Sequence, residues 1–360
     1  MNLHIHGHVL PEDIEKDIYV VEGHITFQKV KSAQTVVKNG YIIPGLVDAH
    51  AHLSINSPAG DDVSPKEAAQ ASATKHLHAG VLVIREPGSP DYSALDLHVR
   101  NGFPRIQTAG RFLTPHGKYF PGLAREIDEE NLPNAAAQEL KKSGAWVKVI
   151  GDFFNEKGDH VPNFKLETLK KTVERVHGLG GRIATHVVST GAIERAIEAG
   201  FDSIEHGTGL QESHIKELVK RKIAFTPTMT IREGIVELVK GSGTPSESRK
   251  LIKAVQNQAL LVRKAFEAGV TVLAGTDAGM VEHGIVFEEV DNFLSAGVDP
   301  KLALGSGSWN ARKYLGYKGI VEGEHADLVV YNKNPMLHPE VLKTPAFIML
   351  DGREVHSKHS

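Results

Sequence analysis

The sequence contains no cysteine, which excludes disulfides, thiolate metal ligands and a cysteine nucleophile. It also lacks an apolar run long enough to cross a bilayer, so we expect no membrane partner. There is no excess of basic residues, since the formal net charge is −3, and nothing indicates nucleic-acid binding. The first residues lack the basic-then-apolar pattern of a secretion signal, so a cytoplasmic location is expected. Any bound metal must therefore be held by nitrogen and oxygen atoms.

Between about residues 42 and 277, strand-like runs alternate with helix-like runs. The predicted strands are 42–50, 81–85, 105–109, 146–150, 182–186, 202–206, 223–227 and 271–277. The predicted helices start after Ser64, which forms a capping box with Glu67, and at 133–143, 164–179, 192–199, 212–221 and 246–268. Eight strand–helix units in a row favour an α/β fold that closes as a (β/α)8 TIM barrel. An open doubly wound sheet is the alternative, and it would bind ligands at one switch point.

The two ends of the chain differ from the middle because both are rich in short strand-like runs. Residues 21–24 and 350–353 carry the glycine-containing pattern of tight hairpin turns. The simplest assembly pairs both ends into a small β-sandwich beside the barrel. We therefore predict sandwich strands at 1–40, the barrel at 41–318 and further sandwich strands at 319–360.

The first barrel strand ends in two histidines, His50 and His52, separated by one residue. Side chains alternate between the faces of a strand, so these two point the same way. Two imidazoles on one face are placed to chelate one divalent ion such as zinc. The pair alone is weak evidence in a chain with 20 histidines.

Further ligand-type residues stand on later strands, whose C-terminal ends meet at one rim in a barrel. Lys148 lies in the fourth strand, His186 and His206 end the fifth and sixth, and Asp277 ends the eighth. Each alone has an ordinary alternative: a hydrogen-bonded histidine, a lysine reaching solvent or an aspartate in a turn. Their joint placement favours a metal site. The other histidines are expected away from the rim, on helices or in the sandwich: His76, His78, His98, His160, His177, His214, His325 and His338.

These motifs resemble those of the amidohydrolase superfamily of metal-dependent hydrolases. Residues 44–52 are similar to its first-strand motif, and residues 146–150, 185–186, 204–207 and 275–277 match the later motifs in order. Residues 310–316 and 326–331 extend the resemblance over nearly the whole chain. Within the superfamily, the chain is most similar to the imidazolonepropionase-like and Xaa-Pro dipeptidase-like branch.

The resemblance implies a cofactor of one or two divalent metal ions, with zinc expected first. It implies that His50, His52 and Asp277 hold the more buried ion, that His186 and His206 hold the second, and that a carboxylated Lys148 bridges them. Burial favours the neutral form of a lysine, and a neutral amine can take up carbon dioxide and become an anion. The alternative is a mononuclear site with an unmodified Lys148, which suits deaminase-like relatives.

The resemblance also implies hydrolysis of a C–N bond in a small molecule, such as a dipeptide or an N-acyl amino acid. A metal ion lowers the pKa of bound water toward neutrality, the hydroxide attacks the carbonyl, and Asp277 moves the proton to the leaving amine. Opening of a cyclic amide and deamination of a ring are the alternatives among enzymes. A catalytically inactive binding protein is another alternative, which the complete ligand set disfavours. The sequence leaves the substrate and a homo-oligomer open.

Two departures from dipeptidase-like relatives fall where the substrate should lie. The fourth strand continues into residues 151–154, Gly-Asp-Phe-Phe, where many relatives have small residues. Val188 stands where many relatives carry a second histidine. The predicted substrate-binding residues lie on loops after strands 3, 7 and 8, and they are His116, Tyr119, Arg232 and His283.

Overall fold

The computed structural model describes residues 2–60, 62–99, 102–241 and 245–357 as an α/β protein. Its strands are β1 (Leu3–Val9), β2 (Ile14–Val21), β3 (His24–Thr26), β4 (Gln34–Val37), β5 (Tyr41–Pro44), β6 (Leu46–Asp48), β7 (Val81–Glu86), β8 (Arg105–Thr108), β9 (Leu113–Pro115), β10 (Arg125–Ile127), β11 (Trp146–Ile150), β12 (Asp152–Phe154), β13 (His160–Pro162), β14 (Arg182–Val187), β15 (Ser203–His206), β16 (Ala224–Thr226), β17 (Leu328–Tyr331), β18 (Phe347–Leu350) and β19 (Arg353–Ser357). Its helices are α1 (Pro65–His78), α2 (Leu132–Ser143), α3 (Leu166–Gly178), α4 (Thr190–Ala199), α5 (Glu212–Arg221), α6 (Arg232–Gly241), α7 (Pro245–Glu267), α8 (Val286–Ser295), α9 (Pro300–Ser306) and α10 (Trp309–Tyr314).

Helix boundaries follow from local capping chemistry. The Ser64 hydroxyl accepts a hydrogen bond from the backbone N–H of Glu67, and the Glu67 carboxylate accepts one from the backbone N–H of Ser64, which confirms the predicted capping box. At the other end of the helices, Gly144 after α2 and Gly200 after α4 adopt the left-handed conformation. Glycine adopts this conformation without steric cost, so the chain turns sharply at both points and enters the following strand.

The middle of the chain forms parallel strands joined by helices. Strands β6, β7 and β8 make one sheet, and a second has the order β10-β9-β11-β14-β15-β16. Beyond β16, Phe225 forms a parallel bridge with Val272, and the backbone N–H of Ala49 donates to the carbonyl of Ala274 at 2.8 Å. The segment around residue 274 therefore lies between β16 and β6. Complete closure of the barrel stays a prediction.

The predicted eighth strand, 271–277, is wrong as a continuous strand. The structure has only isolated bridges there, at Val272 and Ala278. Gly275 explains part of the irregularity, because a Cβ atom on it would lie 2.5 Å from Thr226 and 2.7 Å from His50. The backbone thus passes very close to its neighbours at the point where Asp277 must enter the site.

Both ends of the chain contribute to one eight-stranded sheet. Its order is β19-β18-β17-β5-β1-β2-β3, and β4 pairs with β1. The two predicted hairpin turns are present, with positive φ at Glu22 (51°), Gly23 (84°), Asp351 (54°) and Gly352 (72°). The prediction that this unit is a sandwich stays a prediction.

An apolar core stabilises the terminal sheet, and an ion pair holds it beside the parallel strands. Ile5, Ile18 and Leu328 are fully buried in the core of the sheet, and each such burial contributes about 1.5–3 kcal/mol. Arg105 on β8 donates to Asp327 just before β17 at 2.6 Å. This contact joins the sheet to the parallel strands. Among the described helices, none combines the length and apolar composition needed to cross a membrane.

Candidate metal centre

Asp277 lies beside the two histidines that follow β6. Its Oδ1 atom is 3.1 Å from Nε2 of His52 and 3.3 Å from Nε2 of His50. The backbone N–H of Asp277 donates to the carbonyl of His50 at 2.7 Å, which locks the two segments together. Nε2 of His50 is buried and has no hydrogen-bond partner with suitable geometry. A buried nitrogen of this kind is where a metal ion fits, because buried polar atoms are otherwise paired.

The other predicted ligands lie around the same point. Within the described chain, His50, His206 and Asp277 each offer one ligand atom, and these atoms lie within 4.8 Å of one another. The rings of His186 and His206 are 4.6 Å apart between centroids. Lys148 is buried and lines the same cavity as His52, His186, His206 and Asp277. The structure therefore brings together His50, His52, Lys148, His186, His206 and Asp277.

Two of these residues have an unusual backbone conformation. His206 (φ 63°) and Asp277 (φ 57°) both lie in the left-handed region, which costs of order 1–3 kcal/mol for such residues. The hydrogen bond from Asp277 N to His50 O helps to hold one of them. Strain of this kind concentrates at functional sites, where it aims a side chain that ordinary strand geometry would turn away.

Hydrogen bonds at Nδ1 orient the first two histidines. Nδ1 of His52 is 2.7 Å from the carbonyl oxygen of Gly88, which can only accept, so this nitrogen carries the proton. Nδ1 of His50 is 2.7 Å from a carboxylate oxygen of Glu205. Both rings therefore present an unprotonated Nε2 toward Asp277, the tautomer that a metal ligand requires. Nδ1 of His206 is paired with the Thr228 hydroxyl at 2.8 Å.

Glu205 connects His50 to a buried arginine. The Arg85 guanidinium donates to the same Glu205 oxygen at 2.6 Å, and to the carbonyl of Ala49 at 2.6 Å. Burial alone would raise the pKa of Glu205, but the charge of Arg85 and the contact with His50 outweigh it and hold that pKa well below its usual range. The carboxylate therefore remains charged and fixes His50.

A second buried carboxylate, Asp48, supports the other side of the centre. It accepts hydrogen bonds from the Thr276 hydroxyl at 2.6 Å and from the backbone N–H of His50 at 3.1 Å. Burial raises the pKa of Asp48 to about 6. These contacts fix both Thr276, which precedes Asp277, and the backbone of His50.

The protonation states suit a cation. Burial lowers the pKa of His206 to about 3 and also lowers the pKa values of His52 and His186, so the three imidazoles are neutral. Burial alone would raise the pKa of Asp277, but its close contacts with His50 and His52 outweigh burial and hold that pKa well below its usual range. Burial also lowers the pKa of Lys148 to about 8. Neutral imidazoles and a charged carboxylate are the forms that bind a metal.

A largely apolar cavity of about 560 Å³ opens onto this centre, within the usual range for small-molecule sites. Aromatic side chains form one wall, and Val188 also faces the cavity. The aromatic residues of the wall are Phe112, Tyr119, Phe120, Phe153 and Phe154.

Of the four predicted substrate-binding residues, Tyr119 lines the cavity and three lie outside its wall. The His116 side chain is 64% exposed and lies 3.3 Å from Glu126. Arg232 donates to the carbonyl of Met229 at 3.1 Å and to Asn292 at 3.1 Å. His283 is buried, 3.1 Å from the carbonyl oxygen of Ile55.

His160 lines the cavity although the sequence places it among the histidines away from the rim. It begins β13, which pairs with β12 in a hairpin, and its ring lies 4.0 Å from that of Phe154. The hairpin is held by Asp152, whose buried carboxylate accepts from the backbone N–H groups of Val188 (2.9 Å) and Ser189 (2.6 Å). The departure at residues 151–154 was the available signal, because it marks an extended, aromatic loop beside the site.

Comparison with known proteins places this geometry in context. The model of the Amidohydrolase family matches residues 41–357. An uncharacterized protein of Mycobacterium tuberculosis is 36% identical over 358 residues, covering 98% of this chain and 95% of that protein. Ochratoxinase of Aspergillus niger is 24% identical over 377 residues, an alignment that covers 90% of this chain and 77% of ochratoxinase. A crystal structure of a Xaa-Pro dipeptidase with bound methionine superposes with a TM-score of 0.84 at 22% identity. The superposition covers 99% of this chain and 100% of the dipeptidase chain. This last likeness shows a shared TIM-barrel-like fold.

Proposed function

The chain belongs to the amidohydrolase family, and we propose that it is a metal-dependent hydrolase that cleaves the C–N bond of a small amide. The observation that carries the proposal is the convergence of neutral imidazoles on the charged Asp277, with the buried Nε2 of His50 left without a hydrogen-bond partner. Nitrogen and oxygen donors of this kind suit zinc. The cavity above them has room for a small organic substrate.

In this proposal His50, His52 and Asp277 would hold one ion, and His186 and His206 would hold a second. Lys148 would supply an anionic ligand to both, once its neutral amine had bonded to carbon dioxide and lost a proton. Burial lowers the pKa of Lys148 from 10.5 to about 8, so the neutral amine that this addition needs is more populated near neutral pH than in an exposed lysine.

A second candidate is a mononuclear site with an unmodified Lys148, as in a ring deaminase. It is supported by the group of His50, His206 and Asp277, whose ligand atoms lie within 4.8 Å of one another and could share one ion.

A bound divalent ion supplies two things: it lowers the pKa of water toward neutrality and it polarises a carbonyl. The residues of the chain do the rest. Asp277 accepts a proton from the attacking water and passes it to the leaving nitrogen. The water oxygen bonds to the carbonyl carbon, the C–N bond breaks, and the products are a carboxylate and an amine. The aromatic wall keeps bulk water away from the reacting bond.

The first test is metal content. Elemental analysis of purified protein should find one or two divalent ions per chain, and His50→Ala combined with His52→Ala should remove metal and activity together. His338→Ala is the control, because the side chain of His338 is 48% exposed, away from the cavity. Unchanged metal and activity in the double variant would refute the proposed site.

The second test concerns the proton. Asp277→Asn keeps the size of the side chain and removes the basic oxygen, so turnover should fall on the order of a hundredfold or more. Substrate binding should persist. A loss confined to substrate affinity, with turnover intact, would show that another residue moves the proton.

A further inference from the structure

Aromatic rings flank the candidate ligands and continue outward along the cavity. The Phe112 ring is 5.3 Å from that of His52, and the Tyr119 ring is 5.8 Å from that of His186. Phe153 then packs 5.7 Å from Tyr119 and 5.4 Å from Phe120, between centroids. A substrate bound at the metal centre must therefore place its substituents against these rings.

Aliphatic side chains complete much of the remaining cavity wall. Ile231, Ile235 and Leu251 line it from the segment after β16 and from helices α6 and α7, and Met280 and Val281 line it from the loop after Asp277. Most of the cavity wall is therefore apolar, so substrate binding gains from the removal of apolar area from water.

The described lining residues offer no arginine, and their single lysine is Lys148 at the metal centre. The nearby Arg232 is bonded to the carbonyl of Met229 and to Asn292, outside the wall. The polar side chains that line the cavity, apart from the candidate metal ligands, are Tyr119, His160 and Thr208. These suffice to orient an amide, but none is a permanent cation.

A carboxylate on the substrate would be poorly accommodated by such walls. On a substituent that points away from the metal centre, the carboxylate would lose its hydration without gaining a cationic partner, which is costly in an apolar environment.

On these grounds, and resting on the proposed function, we propose that the substrate is an uncharged amide with at least one aromatic or branched apolar substituent. The cavity selects against amides that carry a carboxylate, including dipeptides and N-acyl amino acids. Hydrolysis then creates a carboxylate from the carbonyl carbon, and the same walls that bind the uncharged substrate favour release of this anionic product.

The test uses matched pairs that differ in one group. The zinc-loaded enzyme is assayed with 4-methylbenzanilide and 4-carboxybenzanilide, and with the corresponding pair substituted on the aniline ring. We expect kcat/KM for each methyl compound to exceed that for its carboxylate partner by about a hundredfold, since the carboxylate must be desolvated without a partner. Equal rates, or faster cleavage of the carboxylates, would overturn the inference and leave the proposed hydrolase function in place.

A binding measurement separates the two proposals. In 4-methylbenzophenone and 4-carboxybenzophenone a ketone replaces the amide, so neither can be hydrolysed, and equilibrium dialysis reads affinity alone. Tighter binding of the methyl ketone supports the inference. If the methyl ketone binds more tightly but no benzanilide is cleaved, the result counts against the proposed hydrolase function and leaves the inference about substrate charge in place. Tighter binding of the carboxylate, or no binding of either ketone, overturns the inference.

A variant can reverse the selectivity. Val188 lines the cavity, and Val188→Lys adds a cation while leaving the backbone bond to Asp152 available. The carboxylate-to-methyl ratio of kcat/KM should rise about tenfold to a hundredfold, as expected for a charged hydrogen bond. Val219→Lys on α5 is the control, because Val219 is exposed and outside the cavity. An unchanged ratio in a folded Val188→Lys protein would contradict the inference.

Discussion

Replacing Glu205 with glutamine removes the charge that balances Arg85 and orients His50. Neither Glu205 nor Arg85 has exposed surface, and their closest atoms are 2.6 Å apart. Removing one partner of a buried ion pair costs about 3–5 kcal/mol, because the other charge is left uncompensated. Arg85 keeps hydrogen bonds to Ala49, Ser203 and Thr226. We therefore expect the lower end of this range, a loss of about 3 kcal/mol in the free energy of unfolding.

The same substitution should weaken metal binding. Glu205 is the acceptor for Nδ1 of His50, and loss of such a supporting carboxylate reduces metal affinity about tenfold to a hundredfold. Urea unfolding of the metal-free protein measures the first effect, and competition with a zinc chelator measures the second. Adding Arg85→Met should recover part of the stability, since the unpaired charge is then removed.

Glu86 provides the matched control for Glu205. It follows Arg85 in the chain and is equally buried, but burial raises the pKa of Glu86 to about 8, so the group is mostly neutral at pH 7. At pH 5, close to the unfolded-state pKa of a glutamate, Glu86→Gln therefore replaces one largely neutral group with another, and we expect a change below about 1.5 kcal/mol at that pH. If Glu205→Gln were as stable as the wild type and bound zinc equally well, the role assigned to Glu205 would be refuted.

Two other predictions follow from the buried titratable groups. Lys148→Ala should lose activity and the second metal ion. Short carboxylic acids should restore both in part, because a carboxylate can take the place of the modified lysine. Full occupancy by two ions in the variant without added acid would contradict the role assigned to Lys148. Because the folded-state pKa of Glu86 is raised from 4.5 to about 8, wild-type stability should fall relative to Glu86→Gln as pH rises through this interval, by at most about 1.4 kcal/mol per pH unit. Urea unfolding at pH 5 and pH 8 checks this, and a constant difference between the proteins would refute it.

Local patterns predicted the elements that carry the site. Strand β11 (Trp146–Ile150) and helix α5 (Glu212–Arg221) have the predicted bounds, because apolar runs and flanking turns define them within the sequence. The alternation of side chains along a strand predicted that His50 and His52 point the same way, and the common rim of a barrel predicted that they meet the later strand ends. Helix α8 (Val286–Ser295) was not predicted, and its start lacks a side-chain cap to mark it.

The cavity could not be predicted from local patterns. His160 reaches it only because β12 and β13 pair and the carboxylate of Asp152 accepts from the backbone of Val188 and Ser189. Arg232 and His283 follow strand-end segments as expected, yet their partners are Asn292 and the carbonyl of Ile55. Such side-chain directions depend on contacts between segments far apart in the sequence.

The balance of buried charge constrains the state of Lys148. Arg85 and Glu205 neutralise each other through their direct contact, which leaves Asp277 as the charged carboxylate facing Lys148. Without a metal, an ammonium on Lys148 would balance Asp277. A divalent ion beside Asp277 reverses this balance, because the ion and the ammonium repel each other in a region where water does not screen them. Metal binding and loss of the Lys148 proton are therefore coupled, so zinc affinity should rise with pH through the lysine pKa. A zinc affinity that does not change over this interval would show that Lys148 is already neutral in the metal-free protein.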